Sequence, residues 1–147
     1  MNIDRQLLFS DEQAVTTTAV STDKLDLGRL GREVGAGEEM WLYGIVEEAA
    51  TASGAATVTF DLNLSAAADL SSPTTVFSTG AIGKATLIVG YEFFRLRLPI
   101  LPVNTTLRYL GINYTVATGP LTAGKFTAFL SRDVSAWRGF ANNFPQA

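Results

Sequence analysis

Between Thr57 and Leu64 the chain alternates apolar and polar residues without a break: Val58, Phe60, Leu62 and Leu64 against Thr57, Thr59, Asp61 and Asn63. A period of two is the signature of a strand with one buried face, and a slip of one residue would turn the whole apolar set to water. A chain built on such strands must find a second apolar surface to cover the first. The pattern returns at Phe94, Leu96 and Leu98, with Arg95 and Arg97 between them, and at Phe126, Ala128 and Leu130. Further strands are expected over 14–20, 40–47, 75–78 and 107–115, most of them rich in Thr, Val, Ile or aromatic residues. On the strand at 40–47, Trp41 and Tyr43 oppose Met40 and Leu42, which predicts a strand buried on both sides.

Turn chemistry separates these runs: residues 28–37 with four glycines, 52–55, 71–74 around Pro73, 99–104, and Gly119 with Pro120. Alanines cluster over 66–70, but Ser71, Ser72 and Pro73 stop a helix there after about one turn. Seven or eight short strands in 147 residues predict one all-β antiparallel sandwich, with jelly-roll and immunoglobulin-like topologies both open. The expected organisation is an N-terminal arm over 1–12, the sandwich over 13–132 and a C-terminal tail over 133–147.

The chain has no cysteine and no histidine, which removes disulfides, thiolate nucleophiles, imidazole bases and most zinc sites. The expectation is a protein that is not an enzyme and uses no cofactor or metal. No apolar run approaches the roughly 20 residues of a membrane-spanning helix, and Met1 to Arg5 does not open like a secretory signal, so a soluble protein assembled inside a cell is expected. Net charge is only −3, but the part up to residue 75 carries 12 acidic and 4 basic residues and the remainder 2 and 7. Such asymmetry favours contacts with a partner or between copies, unless strands of the two parts intermix and average it out. An acidic chain is a poor non-specific binder of nucleic acid.

Gly119 to Lys125 has the spacing of a phosphate-binding loop, but Phe126 stands where a Ser or Thr should hold magnesium and a strand follows where a helix is needed. A turn between strands is the better account. Glu38 with Glu39 and Glu47 with Glu48 invite comparison with glycosidase carboxylates, yet neighbours on a strand point to opposite faces and cannot form the dyad. Both ends carry apolar anchors: Ile3, Leu7, Leu8 and Phe9 at one, Trp137, Phe140 and Phe144 at the other. Apolar termini predict docking, on the chain's own sheets or on a partner. Arg95, Arg97 and Arg108 would form a basic stripe if their strands are neighbours, suited to an acidic partner surface. These ten residues are the candidate partner-binding set. Trp41, Tyr43 and Trp137 would alternatively serve as platforms in a carbohydrate- or receptor-binding module, provided they form an exposed row.

Met1 to Asp4 with Gln6 to Asp11, Asp26 to Gly28, Ser71 to Thr75, and Asn113 to Gly119 with Thr122 to Gly124 together carry a resemblance. Over roughly Met1 to Leu130 the chain resembles the capsid cement family of tailed phages, that of a Bordetella podophage and its relatives. The resemblance implies a jelly roll on the outer surface of a virion, where it bridges capsomers of the major capsid protein. It further implies a homo-oligomer, a dimer first, and no cofactor; on closed symmetry a trimer stays open, and neither nucleic acid nor a membrane is expected as a partner. The glycine-rich loop and the aromatic tail are where the chain departs from that pattern.

Overall fold

The computed structural model describes residues 4–28, 39–99, 101 and 106–132. Asp4 caps a short 3-10 turn, Arg5–Leu7, its carboxylate accepting the Gln6 N–H at 2.9 Å. Nine strands follow: β1 (Leu8–Ala14), β2 (Ala19–Val20), β3 (Leu25–Asp26), β4 (Trp41–Thr51), β5 (Thr57–Ser65), β6 (Thr74–Gly83), β7 (Glu92–Arg97), β8 (Tyr109–Ala117) and β9 (Ala123–Ser131). All pair antiparallel, in two sheets of order β1-β9-β4-β7 and β2-β8-β5-β6, with β3 also on β8. The segments β2 and β3 are one broken edge strand. Apart from the β5–β6 hairpin, each connection onward from β3 crosses between the sheets, which is the arrangement of a jelly roll. Of the two topologies the alternation left open, this is the one adopted.

The alternating set of β5 lies wholly inside: Val58, Phe60, Leu62 and Leu64 are buried completely. Facing it from the other sheet are Leu42 and Val46 of β4 and Phe126, Ala128 and Leu130 of β9. At β7 the register slips by one residue, Gly44 pairing Phe94 and Ile45 pairing Glu92, so Phe93 is bulged and both phenylalanine rings enter the core. Phe93 then stacks on Phe60 at 3.9 Å, directly over Gly44, where an added Cβ would lie 2.4 Å from the ring.

Strand β4 is buried on both sides, as expected, because the outer face of its sheet carries a second cluster of Leu8, Tyr43, Ile45 and Phe129 beside the half-buried Trp41. For the same reason β9 is not the one-faced strand its sequence predicts: Phe129 and Thr127 are buried together with Phe126, Ala128 and Leu130. Strand pairing also begins earlier than expected. Leu8 to Glu12, placed by sequence in the arm, belong to β1, while the strand expected over 14–20 is interrupted at Val15 to Thr18.

Candidate interaction surface

Two of the shallow hollows on the described surface are open to water. One, of about 330 Å³, is lined by Arg5, Gln6, Leu8 and residues 23–26; the other, of about 540 Å³, by Thr17, Thr18, Val116, Gly119 and Pro120. In the first, Arg5 lies 3.8 Å from Asp23, and Asp26 is held by Arg108 through two bonds of 2.7 Å, so both of its carboxylates face an arginine. Neither hollow pairs a nucleophile with a base. Among the described residues no three acids come close enough to hold a metal ion. The turn at Thr118 and Gly119 has positive φ at both residues and leads straight into β9, where Lys125 pairs with Glu48 at 3.2 Å. It is a strand connection and offers no phosphate loop.

The surface is more informative along the two sides of the sandwich, where sheet edges meet water. An edge strand presents unpaired backbone groups and invites another strand unless something blunts it. On one side, β1 lies against the broken strand β2–β3 and the gap is sealed. The Gln13 amide donates to the Val20 carbonyl at 2.8 Å and accepts the Thr22 N–H at 2.9 Å, and the Phe9 carbonyl accepts the Asp23 N–H at 2.8 Å. Deeper in, Ser10 of β1 hydrogen-bonds the Tyr114 hydroxyl of β8, joining the two sheets in the buried interior. Burial drives the Tyr114 phenol far above the ordinary tyrosine value, only partly offset by Ser10, so it stays neutral at all physiological pH.

On the other side lie β6 and β7. Strand β7 is short and charged, with Arg95 bound to Glu92 at 3.1 Å and Arg97 to Glu39 at 3.3 Å. Strand β6 is ten residues long and mostly exposed, and it bears no charge; the uncharged run extends from Leu70 to Gly83. Among the described residues the large apolar side chains that stand exposed are Phe77 on β6 and Ile88 and Val89 on the β6–β7 connection. Phe77 still touches the core, its ring edge-on to Phe94 at 6.0 Å.

The sequence-derived contact set divides accordingly. Phe9 lies in the inner core and Leu8 in the cluster on the outer face, 1% and 8% exposed, and Leu7 packs against the inner core, so these three residues dock on their own sandwich. The basic stripe does not exist: Arg95 and Arg97 sit on β7 in one sheet, whereas Arg108 precedes β8 in the other and is spent on Asp26. Ile3, Trp137, Phe140 and Phe144 lie outside the described residues. Tyr43 is buried and Trp41 half-buried, so these two rings do not form the exposed row that a sugar platform requires. The acidic and basic parts of the chain are interleaved, with Arg97–Glu39, Arg108–Asp26 and Lys125–Glu48 each joining one to the other. The length and exposure of β6 were not foreseen from the sequence, which marks only 75–78 as a strand within the uncharged stretch from Leu70 to Gly83.

A comparison with protein families matches the model of the family described as Bbp16 over residues 9–130, from the second residue of β1 to the last but one of β9. A comparison with curated proteins finds no match.

Proposed function

The chain belongs to the Bbp16 family, and from that membership we propose that it is a structural protein of a phage virion that cements the capsid. The family name points to a Bordetella phage protein. The observation that carries the reading is the extent of the match, which takes in every strand of the jelly roll. The resemblance of residues 1–130 to phage cement proteins supports the finer assignment.

In this reading the protein sits on the outer surface of the head, contacts the major capsid protein on neighbouring capsomers, and associates with itself. Each copy that touches two capsomers gains through effective concentration, so modest contacts suffice against the pressure of packaged DNA. No chemistry is required of it. A chain without histidine or cysteine, whose ion pairs bind its own strands together, is suited to a passive load-bearing role.

Co-sedimentation of the purified protein with capsids stripped of it tests the proposal. Saturable binding at a fixed ratio to the major capsid protein is the expected result. Absence of binding, or heads that lose the protein yet keep their heat resistance and DNA, would overturn it.

A further inference from the structure

We propose that residues 133–147 fold back over the outer face of the β1-β9-β4-β7 sheet, setting Trp137, Phe140 and Phe144 against the cluster of Leu8, Tyr43, Ile45 and Phe129. The inference concerns a single chain and stands apart from the cement reading. Its test needs no capsid, so the two fail separately.

The outer face of that sheet is buried where a two-layer sandwich leaves a sheet wet. An antiparallel sheet with one face on the core normally turns polar residues to water on the other. Here Tyr43 lies opposite Phe129 and Phe129 opposite Leu8, so one apolar row crosses three strands. Tyr43, Ile45 and Phe129 are 2%, 3% and 1% exposed. The rings of Tyr43 and Phe129 stand 5.3 Å apart, but a neighbour in the same sheet shields the flank of a ring and not the side turned away from the sheet. Arg95, across from Tyr43 on β7, is itself exposed and bound to Glu92. Every described strand belongs to one of the two sheets, the second sheet packs on the inner face, and the described helical turn has three residues. Among the described elements none forms a layer on the outer face. The burial is that of one chain by itself, so the cover belongs to the same chain.

The occupant follows from chemistry and from tethering. Of the segments outside the described residues, 1–3, 29–38, 100 and 102–105 contain no aromatic side chain, whereas 133–147 carries Trp137, Phe140 and Phe144. Residues 29–38 also leave from Leu27 and return at Met40, both in the inner core. The tail starts at the cluster itself: Ser131 ends β9 opposite Trp41, the half-buried ring packed on the cluster, and takes the same side of its strand as Phe129. From Arg132 to Trp137 an extended chain reaches up to about 17 Å, enough to turn and come back over Phe129 and Tyr43. The three rings of the tail then complete this chain's own sandwich as a third, partial layer.

Tyrosine nitration with peptide mapping tests the cover. The natural chain is expected to resist at Tyr43 and at Tyr114, which is buried between the sheets. With Trp137→Ser, Phe140→Ser and Phe144→Ser combined, Tyr43 should react at least about tenfold faster, while a protected Tyr114 reports that the sandwich is folded. Unchanged nitration of Tyr43 in the folded variant overturns the proposal. A nitroxide on Ala141→Cys, in a chain with no other cysteine, keeps the three rings and carries the test if the triple variant does not fold. It should broaden the amide signals of Tyr43 and Phe129 in its own chain more than that of Ser78 on β6, and should broaden none in isotope-labelled chains without nitroxide mixed with it. Absence of broadening at Tyr43 and Phe129 overturns the proposal. Broadening that appears only in the mixture also overturns it, and assigns the face to the tail of another copy.

Discussion

The two flanks of this sandwich are closed by different physics. Where β1 meets β2–β3, directional hydrogen bonds from Gln13, Phe9 and Ser10 stitch one sheet to the other. Toward β6 and β7 the sheets are held by rings: Phe60 on Phe93, Phe94 edge-on to Phe60, and Phe77 edge-on to Phe94. A hydrogen-bonded seam uses up backbone groups of its edge, whereas a seam of stacked rings takes up none. The difference shows that burying apolar area and finishing an edge are separate tasks, done here by different side chains on the two flanks.

Breaking the ring seam should have the largest effect. Phe60→Ala removes the ring that Phe93, Phe94, Tyr114 and Phe126 all contact, and a loss of about 3–5 kcal/mol in urea unfolding is expected. Gly44→Ala drives a methyl group into the Phe93 ring and should cost about 1–3 kcal/mol, with a changed near-ultraviolet signal from the displaced aromatic stack. On the stitched side, Ser10→Ala leaves the Tyr114 hydroxyl buried without its partner, a loss of about 1–3 kcal/mol. Equal losses for Phe60→Ala and Ser10→Ala would erase the distinction drawn between the flanks.

Smaller perturbations sharpen the same contrast. Gln13→Ala should cost about 1 kcal/mol, its clearest readout being faster hydrogen exchange at the Thr22 amide with no change along β6. Tyr114 adds a pH dependence of fixed sign. Its folded value lies above that of an unfolded tyrosine, about 10, so its contribution is intact below that pH and stability falls as pH rises beyond it. A flat melting temperature from pH 9 to pH 12 would contradict this. Arg97→Ala should change stability by no more than about 0.5 kcal/mol, since its bond to Glu39 is largely exposed.

What could be read from the chain follows the range of the forces involved. Strand β5 was legible because its burial is local and strict, and β4 because residues on both its faces are apolar. Strand β1 was hidden because its two register shifts destroy the alternation of Leu8 to Ala14. Most of β6 was hidden because Gly80, at φ +73°, and the polar small residues around it carry no period. The arginine stripe failed for a topological reason: β7 and β8 are consecutive in the chain but lie in different sheets, and no local pattern encodes that crossing. The stitch made by Gln13 spans only seven residues to Val20, yet it depends on two sheets folding back on each other. Residue chemistry narrowed the class of protein, but which strands end up at the sheet edges emerged only from strand order.

The pairing of β1 with β9 joins Leu8 to Phe129, nearly the full length of the chain apart. During synthesis the first strand leaves the ribosome long before β9, its ladder partner among the described residues, exists, and its ladder must wait until that strand arrives. Completion of the sheet is therefore a late event that waits until β9 has been made, which delays its finished surface.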